Sequence, residues 1–143
     1  MPQIERTVTV TKPLSDVWEY LVDFTNTESW DPPTQSTTRV SGDGGVGTVY
    51  KNVSHMLGRD VEVEYTVLDV EPQRLFRLAG KTPSMDLLDT MTFEEADGRV
   101  SVTYTAELTP HGAAKLAEPL MPIGLKKIGD DAAEQLEKCL RDL

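Results

Sequence analysis

The chain is poor in the residues that assemble most covalent and metal chemistry. It has one cysteine, Cys139, so no internal disulfide can form. It has two histidines, His55 and His111, and neither stands at ligand spacing from a second strong metal ligand. No metal and no cofactor are expected. No apolar run approaches the roughly 20 residues needed to span a bilayer. The opening MPQIERTVTV lacks the charged-then-apolar order of a signal peptide, and a cytoplasmic protein is expected. Cations are outnumbered, with 14 Lys and Arg against 24 Asp and Glu and a formal net charge of −10. That balance speaks against a nucleic-acid partner, which needs clustered cations, and against docking on anionic lipid. No serine sits in a Gly-x-Ser-x-Gly elbow. The run Gly42-Asp43-Gly44-Gly45-Val46-Gly47 lacks the Gly-Lys-Ser/Thr ending of a phosphate loop and reads as a hairpin loop.

What is present is a regular pattern of turns and periods. The length of 143 residues fits one domain, residues 1–143. From Ile4 to Thr11 alternate positions are apolar, with Arg6 on the face of Ile4, Val8 and Val10, which predicts a strand. Pro13 suits the first turn of a helix, and Leu14, Val17, Trp18 and Leu21 recur at helical spacing. A second short helix is expected over 26–30, stopped by Asp31-Pro32-Pro33, because a residue before proline disfavours the helical conformation. Six strands follow between Gln35 and Leu108, punctuated by turn residues. After Pro110 a helical prelude leads into a long terminal helix, with Leu125, Ile128, Ala132, Leu136, Cys139 and Leu143 on one face and charged residues on the other.

The hairpins predict registers. A two-residue turn at Asp97-Gly98 sets Phe93 against Val102, Met91 against Tyr104 and Asp89 against Ala106. A turn at Pro72-Gln73 sets Tyr65 against Gly80, Val67 against Leu78 and Asp69 against Phe76. A loop over 81–84 sets Leu78 against Leu87 and Phe76 against Asp89. A turn at Gly58-Arg59 sets Val61 against Met56, Val63 against Ser54, Tyr65 against Asn52 and Val67 against Tyr50. All four place the apolar rows on one side of the sheet. That side also carries Tyr50, Asn52, Ser54, Tyr65, Asp69, Asp89 and Tyr104. So many polar groups are too many for a dry core, and a cavity holding water or ligand accounts for them.

The order strand, two helices, six strands, long helix resembles the helix-grip fold of the START and polyketide cyclase/dehydrase superfamily (SRPBCC). The stretches "TVTVTKPLSDVWEYLVDFTNTESWDP", "GRDVEVEYTVLDVEPQRLFRLAG" and "TMTFEEADGRVSVTYTAELTPHG" are similar to its opening, central hairpin and last hairpin. The resemblance implies an α+β fold: a seven-stranded antiparallel sheet wrapped around a long C-terminal helix, with two short helices after the first strand. It also implies a cavity of a few hundred Å³ between sheet and helix, the usual size for small-molecule sites. The expected ligand-lining positions are Trp30, Tyr50, Asn52, Tyr65, Phe76, Leu78, Leu87, Met91, Leu120, Met121, Leu125 and Ile128, with the glycine-rich loop beside the cavity mouth.

Asp89 and Asp69 flank Phe76 in this register, about 10 Å apart across two strand spacings. Such a pair can bracket a substrate for acid–base work. The alternative has Asp69 capping a turn and Asp89 paired with Arg6, Arg77 or a tyrosine. Asp89 and Tyr104 are the candidate catalytic residues. Three functions compete. One is a carrier or sensor of a small, largely hydrophobic molecule, aromatic or polyketide-like. Another is a cofactor-independent aromatase/cyclase or dehydratase that moves protons with Asp89 and a tyrosine. The third is a protein-interaction module of the co-chaperone kind, which needs an exposed apolar patch; none is visible in the sequence.

Overall fold

A computed structural model of the chain describes residues 2–56 and 58–143. Strand β1 (Gln3–Val10) is followed by helix α1 (Leu14–Val22), a 3-10 turn (Phe24–Asn26) and the short helix α2 (Thr27–Trp30). Six strands come next: β2 (Thr34–Ser41), β3 (Val49–Met56), β4 (Arg59–Glu71), β5 (Leu75–Lys81), β6 (Met85–Ala96) and β7 (Arg99–Pro110). A 3-10 segment (Gly112–Leu120) leads into the terminal helix α3 (Met121–Arg141). The strands form one antiparallel sheet in the order β1-β7-β6-β5-β4-β3-β2, with α3 laid across its apolar face. This is the helix-grip architecture expected from the sequence. Among the described residues no helix is long and apolar enough to cross a membrane.

Turn chemistry explains which registers hold. Asp97 and Gly98 both take positive φ, 54° and 74°, as a tight hairpin turn requires. The β6/β7 pairs are those expected: Phe93 with Val102, Met91 with Tyr104, Asp89 with Ala106. Between β3 and β4 the turn centres one residue earlier, with Gly58 at φ 80°. Met56 therefore faces Arg59, Ser54 faces Val61, Asn52 faces Val63 and Tyr50 faces Tyr65. Between β5 and β6 both the amide and the hydroxyl of Thr82 donate to the Met85 carbonyl. The loop closes over 82–85, so Leu78 faces Asp89, Phe76 faces Met91 and Gly80 faces Leu87. Each displacement is of two residues. Side chains alternate with period two, so an even displacement leaves every one on its expected face.

The end of one strand does change face. The β4/β5 ladder begins as expected, with Tyr65 against Gly80 and Val67 against Leu78, then shifts between Val67 and Asp69. That bulge turns Asp69 outward, where it pairs with Arg77 at 3.1 Å. Asp69 does not flank Phe76, which faces Val70 across β4.

Packing against α3 depends on Gly129. A Cβ there would stand 2.8 Å from Ile4 Cγ2 and 3.0 Å from Arg6 Cζ, so the helix reaches β1 only because this residue has no side chain. Gly124 has open space around it. At the far edge of the sheet, the Thr37 amide of β2 donates to Glu28 Oε2 of α2 at 2.8 Å.

Candidate functional site

The buried apolar residues form two clusters. The larger includes Val17, Leu21, Phe24, Trp30, Phe76, Leu78, Met91 and Leu136. The smaller joins Ile4, Ala106, Leu108 and Leu125. Leu87 and Tyr104 pack against both. At that junction, under α3, lies a cavity of about 60 Å³. Its apolar walls include Ile4, Leu87, Leu108, Leu125, Ile128 and Ala132; its polar lining is Asp31, Ser54, Tyr65, Asp89 and Tyr104. The volume falls short of the few hundred Å³ expected, because Leu125 and Ile128 of α3 sit directly over the row.

Asp89 is 2% exposed. Its Oδ2 accepts a hydrogen bond from the Tyr104 hydroxyl at 3.1 Å, while Oδ1 is buried and has no hydrogen-bond partner. The two arginines considered as counter-charges are engaged elsewhere. Arg6 donates to Asp130 and to the Lys126 carbonyl, and Arg77 pairs with Asp69. Desolvation therefore dominates and raises the Asp89 pKa from 3.8 to about 7; the Tyr104 hydrogen bond opposes that rise, and the charge of Asp31 adds to it. Tyr104 is held well above its ordinary value, first by burial and then by the negative charges of Asp89 and Asp31. Its ring meets the buried Trp30 edge-on, centroids 5.4 Å apart, which fixes the hydroxyl over β6.

Asp31 is a site residue that sequence reasoning missed, having read it only as a helix stop. Pro32 holds it extended, at φ −101° and ψ 104°, and its amide closes α2 by donating to the Thr27 carbonyl. The side chain ends a directed hydrogen-bond chain. Ser54 donates to Asn52 Oδ1 (2.6 Å), Asn52 Nδ2 donates to Thr34 (3.0 Å), and the Thr34 hydroxyl donates to Asp31 Oδ2 (2.6 Å). Burial raises the Asp31 pKa to about 6, against the lowering effect of the Thr34 bond. The sequence signal was a carboxylate between a buried tryptophan and two prolines.

The remaining expected positions divide plainly. Tyr65, Leu87, Leu125 and Ile128 border the cavity with Asp89 and Tyr104. Tyr65 is seated by Gly80, where a Cβ would come within 2.7 Å of its ring. Trp30 stands behind Tyr104. Asn52 belongs to the hydrogen-bond chain, and Tyr50 packs on Phe24, centroids 5.6 Å apart. Phe76, Leu78 and Met91 are wholly buried in the larger cluster. Met121 packs on the smaller one, whereas Leu120 is 68% exposed. The glycine-rich loop is at the opposite end of β3 from Ser54, away from the cavity; the Gly47 amide bonds to the Val67 carbonyl there. Leu116 and Ile123 are exposed as well. Among the described residues, no three His, Cys, Asp or Glu side chains gather closely enough to hold a metal ion.

One seven-stranded antiparallel sheet, two short helices after its first strand and a long terminal helix across its apolar face define a helix-grip protein. Residues 1–141 match the model of the family described as polyketide cyclase / dehydrase and lipid transport, and the chain belongs to that family. Among solved structures it is similar to the Zhui aromatase/cyclase from Streptomyces sp. R1128, with TM-score 0.69, 19% identity and coverage of 99% of this chain and 89% of that one. A START superfamily protein from Mycobacterium smegmatis superposes with TM-score 0.72 at 9% identity, covering 96% and 98% of the two chains. Ara h 8.0201 gives TM-score 0.73 at 19% identity over 99% of both. At these identities the likeness is one of fold. No curated protein matches the sequence.

Proposed function

We propose that the protein binds a small, largely hydrophobic molecule, aromatic or polyketide-like, between the sheet and α3, as a carrier or sensor. The observation that carries this reading is Asp89 Oδ1, a buried carboxyl oxygen without a partner at the wall of a cavity of mixed apolar and polar lining. Leaving such an atom unpaired costs about 1–3 kcal/mol, and a bound ligand removes that cost. The cavity of about 60 Å³ is then the closed form. A drug-sized occupant needs roughly 300 Å³ or more, so the start of α3 must move outward to admit it. The adjoining segment Gly112–Leu120 contains no buried residue and opposes that movement weakly.

A second reading, a cofactor-independent cyclase or dehydratase, is favoured by the Asp89 pKa of about 7. A carboxyl poised there both gives and takes a proton at neutral pH. Tyr104 would orient it, and catalysis would rest mostly on holding a reactive chain in one fold.

Thermal-shift and calorimetric titration with a panel of aromatic and polyketide-like compounds tests the binding reading. Saturable binding that weakens in Leu125→Trp, which fills the cavity, is the expected result. No binding by any member of the panel would sink it. Turnover of a reactive polyketide-like chain that is lost in Asp89→Asn, with binding retained, would select the enzyme.

A further inference from the structure

We propose that the ligand carries an ammonium group on a compact apolar body, with the cation seated against Asp89 Oδ1 and Asp31 as a second counter-charge. The inference rests on the binding reading above and specifies the chemistry of its ligand.

Charge around the cavity is one-sided. Two carboxylic residues, Asp31 and Asp89, border it, and among the described residues no Lys, Arg or His does. The groups that face Asp89 can be taken element by element. Beyond α2 there is Asp31; β4 contributes Tyr65 and β7 contributes Tyr104. Leu78 of β5 and Ala106 of β7 are its strand partners. Helix α3 presents Leu125, Ile128 and Ala132, none of which titrates. Arg6 of β1, on the same face, is bound to Asp130 at 3.0 Å. A cation is the one charge type missing from this surround.

Three head groups can be compared. A carboxylate would bring a third negative charge into a desolvated space, where like charges are costly. A neutral hydroxyl can accept a proton from the acid form of Asp89 or donate to its anion, but compensates no charge. An ammonium has three donors and no acceptor. It satisfies Oδ1, offsets the desolvation that holds Asp89 partly protonated, and meets the Asp31 charge that now works against Asp89. Leu87, Leu108 and Leu125 then cover the apolar body.

Proton accounting follows. Asp89 has a pKa of about 7 in the free protein, so near neutrality about half of it is protonated. An ammonium selects the anion, so binding releases about half a proton near pH 7. The apparent affinity scales with the ionised fraction. Through Asp89 alone it rises about tenfold from about pH 6 to about pH 8, and ionisation of Asp31, at about 6, adds to the rise; an alkylamine, which titrates at about 10, stays charged throughout.

The test is calorimetric titration of the full chain with three probes sharing one body: phenethylamine, phenethyl alcohol and hydrocinnamate. We expect phenethylamine to bind about tenfold or more tightly than the alcohol, and hydrocinnamate weakest. Amine affinity should rise with pH as stated, with proton release seen as a heat that depends on buffer ionisation. In Asp89→Asn the amine preference and the proton release should both disappear; if that variant does not fold, the probe order and proton release in the native protein decide alone. Equal or tighter binding of the alcohol or the carboxylate overturns the ammonium proposal and leaves the binding reading standing. Binding of none of the three, nor of any compound in the wider panel, overturns both.

Discussion

The Tyr104 hydroxyl donates to one oxygen of Asp89, at 3.1 Å, and leaves the other buried and unbonded. The acid is thus held in place through one of its two oxygens. It lacks the cation that would make its negative form comfortable, and this gives the site its dependence on pH.

Asp89 makes the folded state pH-sensitive in a direction set by its raised pKa. Below about pH 4 the group is protonated in both folded and unfolded chains. As pH rises from there to about 7 the unfolded chain loses its proton first, so stability falls and then levels off. Asp31, at about 6, adds to the same decline over a narrower window. Asp89→Asn stays neutral and keeps an acceptor for Tyr104. Urea unfolding should show it roughly 1–3 kcal/mol more stable than the native protein at about pH 8, with no difference near pH 4. A loss of stability at both pH values would make Asp89 part of the scaffold.

Removing the hydroxyl alone separates Tyr104's two tasks. Tyr104→Phe retains the ring against Trp30 and deletes the bond that lowers the Asp89 pKa. Carbon-detected NMR titration of the Asp89 carboxyl should therefore show a midpoint above that of the native protein. The stability cost should be about 1 kcal/mol, as for one hydrogen bond. An unchanged midpoint would mean that the bond is absent in solution.

Two glycines of α3 predict opposite outcomes. At Gly124 a methyl group meets open space, so Gly124→Ala should gain about 0.5–1 kcal/mol from helix propensity. At Gly129 the methyl would strike Ile4 and the Arg6 guanidinium. There the overpacking cost of about 1–3 kcal/mol should outweigh the propensity gain. Thermal unfolding of the two variants side by side measures both signs.

The segment Gly112–Leu120 should exchange its amide hydrogens faster than the body of α3, since none of its residues is buried whereas Leu125, Ala132, Leu136 and Leu140 anchor the helix. Ligand should slow exchange at the start of α3. Equal protection along 112–140 in the free protein would count against an opening at this end.

Legibility of the fold in the sequence followed the period-two rule. The turn residues of Asp97-Gly98 fixed one register outright, and two others were displaced by two residues, which kept Tyr50, Asn52, Ser54, Tyr65 and Asp89 on the inner face. The bulge beside Asp69 left a trace that went unread: Val61, Val63, Tyr65 and Val67 hold odd positions and Val70 an even one, the loss of step that an inserted residue causes. Asp31 escaped for a different reason. Its role comes from Thr34 and from the distant Asp89, and nothing local marks a carboxylate before proline as more than a turn. Nor could composition give the size of the cavity, which depends on how closely α3 approaches, and that closeness comes from the contact of Gly129 with Ile4 and Arg6.

The bond from the Thr37 amide to Glu28 has a consequence for how these molecules meet one another. Strand β2 ends the sheet, and the outer rim of such a strand is a template on which another chain can polymerise. A glutamate from α2 occupies one of the amides that an incoming strand would need. The shifts in pairing at 34–36 and 39–41 break the straightness of the rim on either side. The rim of β2 is thereby a poor template for a second chain, and the helix that blocks it is the short one that also carries Trp30 into the core.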